Sequence, residues 1–257
     1  MKRILAFALF LFASVSAFCG DAAAFVDIGF SDDGKTYVFG EYGVTDYDFQ
    51  GYAEIYTVDV EKNDFVKGGV FRTKPSKSTY AKAGRDIYDA LLSKARWWLR
   101  KYDCKSVDSE HVIFTADGKS AGSDEIVFKD LEGSTVEREI FYHIKLVKTV
   151  EGSGQSLKSS FFITLEKADG NGHTLSRDMI GSPDIKRPSV TDYKIEKIFM
   201  DKSNRSLVFV IAKTLEEKHG TSVRFYFYAE KIVFASCCDA DTDVVCSSTN
   251  HDFQYGW

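Results

Sequence analysis

The amino-acid sequence predicts a mainly β fold. The expected architecture is antiparallel sheets with blade-like hairpins, a partial propeller or barrel-like assembly, plus one amphipathic α-helix near residues 79–102. Three observations carry this expectation. Aromatic and β-branched residues recur in short runs separated by turn residues, which is strand chemistry. One segment switches from a period of two to a spacing of three and four. One hairpin-like stretch is echoed further along the chain.

Taken in order, "AFVDIGF", "TYVFGEY" and "YAEIYTVDV" read as the first three strands. Between the first two, Asp32-Asp33-Gly34-Lys35 is a hairpin turn in which Gly34 can take positive φ without a Cβ clash. In the third, Tyr52, Glu54, Tyr56 and Val58 alternate with Ala53, Ile55, Thr57 and Asp59, the pattern of a half-buried strand. From Tyr80, apolar or small residues recur at Gly84, Ile87, Leu91, Ala95, Trp98 and Tyr102, one face of a helix. Ser78 or Thr79 is expected to cap its start, and Arg96, Arg100 and Lys101 suit the negative end of its dipole. Trp98 is expected in the core and Trp97 at its rim. Further strands read at "HVIF", "EIVFKDL", "REIFYHIKLVKTV", "SSFFITLEKA", "YKIEKIFM", "SLVFVIAKT" and "SVRFYFYAEKIVF", with turns at 168–172 and around Gly220. The three prolines, Pro75, Pro183 and Pro188, fall outside all of these runs.

The echo pairs "IGFSDDGKTYVFGE" at 28–41 with "IFMDKSNRSLVFVI" at 198–211, and a third partial copy, "IFTADGKS", stands at 113–120. In the two longer copies a hydrophobic strand meets Asp, a polar turn and a basic residue, then a strand with a Val-Phe pair. Weak copies without an even period do not close a propeller, which needs about four or more blades. The repeat therefore speaks for architecture rather than chemistry.

The N-terminal stretch "MKRILAFALFLFASVSAFCGDAAAF" has the form of an export leader: basic Lys2 and Arg3, an apolar run, and the small-x-small pattern Val15-Ser16-Ala17. The apolar run is shorter than the roughly 20 residues a spanning helix needs, and no later run is long enough. Ala22-Ala23-Ala24 offers a second cut, so the expected division is a signal peptide at 1–24 and a single β-rich domain at 25–257. Cys19 would suit lipid attachment, but Phe18 stands where such sites carry Gly, Ala or Ser. The expected location is periplasmic or secreted, with no transmembrane helix in the mature protein. A formal charge of −5 spread along 257 residues argues against a nucleic-acid partner, which would want a clustered basic face.

Of the five cysteines, cleavage after Ala24 removes Cys19 and leaves Cys104, Cys237, Cys238 and Cys246, an even number in an oxidising setting. No C-x-x-C spacing suggests a metal site. Cys237 or Cys238 closing on Cys246 is the short-loop disulfide expected, and the other of the pair is a candidate partner for Cys104.

The stretches "FVDIGFSDDGKTYVFGEYGV" and "GYAEIYTVDVEKNDFVKGGVF" resemble a family of bacterial predicted secreted proteins with a domain of unknown function (domain of unknown function 2259). The likeness is good over 25–72 and thin afterwards, apart from the late "DKSNRSLVFV" hairpin. Propeller proteins of the TolB kind share some of its "F-S-D-G-K … E-I-Y-V-D" character. The resemblance implies an exported, envelope-associated protein and supplies no catalytic residues. Asp32, Asp33, Glu54 and Asp59 gain no role from it, and solvation at turns or strand faces accounts for them.

Two motifs suggest chemistry. Gly118-Lys119-Ser120-Ala121-Gly122 matches G-x-S-x-G, which works as a nucleophile elbow only between a strand and a helix. Here "EIVFKDL" follows and reads as a strand, so the stretch is expected to be a hairpin turn. No spacing singles out His143, His173 or His219 as a base. Asp239, Asp241 and Asp243 could present alternating carboxylates to calcium, but an EF-hand would need Gly and Glu where Val244 and Asn250 stand. Asp169, Asn171 and His173 fit a hairpin tip first and a ligand cluster second. The expected function is a non-enzymatic binding or interaction module with an unknown envelope partner and no cofactor. The alternative is a serine hydrolase using Ser120.

Overall fold

The computed structural model describes residues 20–116, 125–131, 133–201, 206–217 and 220–231. A short strand β1 (Gly20–Ala22) precedes a meander of β2 (Ala24–Phe30), β3 (Thr36–Val44), β4 (Gly51–Asp59) and β5 (Asp64–Thr73). Helix α1 (Gly84–Leu99) and β6 (Val112–Thr115) follow. A second meander comprises β7 (Glu125–Lys129), β8 (Ile140–Glu151), β9 (Lys158–Asp169) and β10 (Thr174–Pro188). The chain continues through β11 (Val190–Met200), β12 (Ser206–Glu217) and β13 (Gly220–Lys231). The two meanders are four-stranded antiparallel sheets, and the third sheet runs β1-β13-β12-β11-β6, with β1 parallel to β13.

Three apolar clusters set the order of the layers. Ile87, Tyr88, Leu91 and Ala95 of α1 pack on Val38, Ala53 and Ile55, one face of the first meander. Its other face, Tyr37, Phe39, Tyr56 and Val58, packs on Phe199, Val208 and Val210 of the third sheet. The opposite face of that sheet, with Ile198, Leu207, Phe209 and Ile211, packs on Tyr142, Ile144, Phe161 and Ile163 of the second meander. The third sheet is therefore covered on both sides. This explains the unbroken apolar run 207–211, all buried, because a strand with two dry faces has no reason to alternate. Each such side chain contributes about 1.5–3 kcal/mol, as an upper estimate.

Short polar side chains close the hairpins. Ser31 Oγ accepts from the Thr36 N–H at 3.0 Å while the Ser31 N–H donates to the Thr36 carbonyl at 2.9 Å. Asp201 treats Ser206 the same way, at 2.8 and 3.1 Å. The two echoing stretches thus share one device: a residue whose backbone and side chain both hold the residue five positions on. Gly34 takes φ +69° as expected. The second half of the third partial copy, 117–120, lies outside the described residues.

Several expectations need correction. β4 is buried on both faces, not one, because Glu54 pairs with Arg72 at 3.0 Å and its neighbours are covered by α1 and the third sheet. The helix begins at Gly84, with Ala83 at the cap and no side-chain cap bond. Ser76 and Thr79 instead close a separate 3-10 turn, Lys77–Thr79, and Tyr80 is exposed rather than on the buried face. β5 and β10 are strands that the apolar pattern did not reveal: β10 is largely exposed, and β5 is mostly half-buried with Gly68-Gly69 interrupting its alternation. Pro183 and Pro188 lie in β10, an edge strand, where a missing N–H is tolerated. Trp97 is exposed at the rim as expected, whereas Trp98 is half-buried at the edge of the helix–sheet interface rather than in the core, its Nε1 donating to Thr57 Oγ1 at 3.0 Å.

Candidate functional site

One feature that packing does not explain is an aromatic turn beside the start of α1. Thr45 closes the β3–β4 hairpin by accepting the Gln50 N–H on Oγ1 at 3.0 Å and donating its own N–H to the Gln50 carbonyl at 3.0 Å. Phe49 is thereby held at φ +50°, with its N–H on the Thr45 carbonyl. Its own carbonyl accepts the Ala81 N–H at 2.9 Å, and Ala81 sits at φ +54°. A β-bridge joins Gln50 to Tyr80. Close backbone approach completes the frame: a Cβ on Gly84 would lie 2.6 Å from the Gly43 carbonyl oxygen. Backbone bonds thus clamp two chain segments together, and several of their side chains face outward.

Those side chains are aromatic. Tyr47, Phe49 and Tyr80 are 62%, 58% and 61% exposed. Val44, Phe49, Tyr80, Ala81, Lys82 and Ala83 line an open groove of about 560 Å³. The lining contains no nucleophile, no carboxylate and no imidazole; it offers apolar and ring surface with one ammonium at the edge.

The buried charges act as ties between layers. Arg224 Nη2 donates to Asp21 Oδ2 at 2.7 Å, Tyr52 Oη donates to Asp21 Oδ1 at 2.9 Å, and the guanidinium lies 4.1 Å from the Tyr52 ring centroid. Burial works against the charge on Arg224, but Tyr52, Asp21 and Glu41 together hold it above its ordinary pKa. Burial also pushes the Tyr52 phenol far up, so it stays a donor. A second tie holds Asp27, whose Oδ1 accepts from Tyr37 Oη at 2.8 Å and whose Oδ2 accepts from the Val107 N–H at 2.8 Å. Burial raises the Asp27 carboxyl above its usual value despite those bonds and the charge of Lys197.

Asp108, Glu110 and His111 bring three donor atoms within 4.8 Å of one another, a grouping the sequence reading missed because D-S-E-H has no recognised metal spacing. Oxygen and imidazole donors could hold a divalent cation such as zinc. Exposed carboxylates also gather without one, so the triad carries no assignment. His143 pairs with Glu125 at 3.0 Å, and His173 with Asp169 at 3.2 Å. Asp169 Oδ1 also accepts the Asn171 and His173 N–H groups, which makes this cluster a hairpin tip. Asp32, Asp33, Glu54 and Asp59 each have a partner: Lys105, Ser31, Arg72 and Lys62. Ser120, His219, Cys19, Cys237, Cys238, Cys246, Asp239, Asp241 and Asp243 lie outside the described residues. Cys104 carries no disulfide among those described.

Comparison with known proteins then places the chain. A family described as predicted secreted protein, DUF2259, matches residues 38–231, from within β3 to the end of β13, and the chain belongs to it. The match runs far beyond the N-terminal third in which the resemblance is strongest by eye. That description fits a secreted or periplasmic location, and no helix among the described residues is long and apolar enough to cross a membrane. No curated protein and no solved structure matches the chain.

Proposed function

We propose that this protein is a non-enzymatic interaction module of the cell envelope and that the aromatic turn is its contact surface. The observation that carries the reading is the exposure of Tyr47, Phe49 and Tyr80 on two segments held by backbone bonds, with Phe49 itself and Ala81, next to Tyr80, at positive φ. Positive φ at Phe49 and Ala81 costs roughly 1–3 kcal/mol each and persists only where surrounding bonds enforce it. A few anchor residues, enriched in Tyr and Trp, carry most of the energy at protein interfaces, and a surface fixed beforehand loses little entropy on binding. The hydrolase alternative requires a strand-to-helix elbow at Ser120. The elements flanking that stretch, β6 and β7, are both strands, which favours the non-catalytic reading.

Site-specific photo-crosslinking in native envelopes tests this. A photoreactive residue at position 47 or 80 is expected to give a discrete adduct that one at the still more exposed Val136 does not. Adducts of equal yield from all three positions would remove the surface. Labelling by a fluorophosphonate that disappears in Ser120→Ala would install the hydrolase instead.

A further inference from the structure

Two small-x-small patterns precede the domain, Val15-Ser16-Ala17 and Ala22-Ala23-Ala24, and the preference of a leader peptidase for small residues does not choose between them. The fold does. Gly20, Asp21 and Ala22 pair in parallel with Thr221, Ser222 and Val223, and the Ala23 N–H donates to the Val223 carbonyl at 3.0 Å. Asp21 is buried with both carboxylate oxygens engaged, one by Arg224 and one by Tyr52. Ala24 is already in register with Tyr42, and Phe25 stacks on Phe39 at 5.8 Å.

We infer that the leader is cut between Ala17 and Phe18, not between Ala24 and Phe25, and that Asp21 is a required part of the exported fold. A chain beginning at Phe25 would lose β1 and strip the edge of β13. It would leave the Arg224 guanidinium buried without its hydrogen-bonded carboxylate, an arrangement that is strongly destabilising. It would also leave the Tyr52 hydroxyl without its acceptor, and place a new α-ammonium on a residue stacked against the core. A chain beginning at Phe18 keeps all of these contacts. It also keeps Cys19, so the exported protein holds five cysteines and the even count expected from the later cut does not apply. This inference uses only the export reading and stands apart from the aromatic surface.

The test is intact-mass and N-terminal peptide analysis of the full-length chain exported by a bacterial host. The expected mature protein starts at Phe18 with an unmodified Cys19; a start at Phe25, or a lipid on Cys19, overturns the assignment. Thermal unfolding then tests the role of Asp21. The chain starting at Phe25 should melt roughly 5–10 °C below the one starting at Phe18. Should the shorter chain not fold at all, Asp21→Asn in the longer chain reports on the same contact and should still lower its midpoint. Equal midpoints for Asp21→Asn and its parent would overturn the claim that Asp21 is required.

Discussion

Gly34 lies so close to the carboxylate of Asp201 that a Cβ on it would sit 2.7 Å from Oδ2. The turn of one echoing hairpin therefore presses on the closing residue of the other, and the repeat in the sequence becomes a contact in the fold. Asp201 cannot simply swing away, because its Oδ1 holds the Ser206 N–H at 2.8 Å.

Gly34→Ala is expected to destabilise by about 1–3 kcal/mol, combining the cost of φ +69° with displacement of that carboxylate. Gly172→Ala is the control: its φ is +84°, yet a Cβ there would meet nothing within 4 Å. Urea unfolding should show the larger loss at Gly34, and equal losses would mean that the contact contributes nothing.

Gly29 is more constrained. It sits at φ +110° in a bulge of β2, and a Cβ would lie 1.6 Å from the Lys105 carbonyl oxygen. That oxygen accepts the Phe30 N–H at 3.0 Å, so the clash falls on a backbone bridge that cannot rotate aside. Gly29→Ala should cost at least about 3 kcal/mol or abolish folding. A variant with wild-type unfolding would show that the loop after α1 is not docked in this way.

The raised pKa of Asp27 has a definite sign. Its folded value lies above its ordinary 3.8, so the stability it contributes is fully present below pH 3.8 and is lost as pH rises through the folded value. Asp27→Asn removes the titration and mismatches either the Val107 N–H or the Tyr37 hydroxyl, a cost of about 1–3 kcal/mol at neutral pH. The stability gap between wild type and variant should therefore be wider at pH 4 than at pH 7. Unfolding curves at both pH values check this, and a gap that narrows on acidification contradicts it.

Burial, reinforced by Asp103, Asp33, Asp27 and Asp32, pushes the Cys104 thiol up to about 12. The thiolate is the reactive form. Native protein should consequently alkylate slowly at Cys104 at pH 8, by at least about tenfold relative to urea-unfolded protein, as judged by peptide mapping. Rapid native alkylation would place the thiol in water instead.

Local chemistry in the sequence was readable and distant partners were not. Ser31 and Asp201 each close their own turn, so the hairpins could be found from a few adjacent residues. The helical stripe from Gly84 to Ala95 was likewise legible. Tyr80 joined that stripe falsely, because its spacing of four from Gly84 gives no sign that Ala81 turns the chain at φ +54°. Glu54 made β4 look half-exposed, since Arg72, which neutralises it, comes from the next strand. Asp21 was hidden inside an apparent leader, its partner Arg224 lying 203 positions away. The aromatic turn was equally invisible: Phe49 and Tyr80 come from separate segments joined by backbone contacts that no local pattern announces.

The central claim is that those aromatic side chains form a binding surface, and equilibrium binding to native envelope fractions tests it most directly. Wild-type protein and a variant carrying Tyr47→Ser, Phe49→Ser and Tyr80→Ser would be compared after confirming equal thermal midpoints. Exposed aromatic anchors lost from an interface commonly cost 2 kcal/mol or more in total, so saturable wild-type binding should weaken by at least about tenfold in the variant. Undiminished binding by the variant, or no saturable binding by the wild type, would contradict the account.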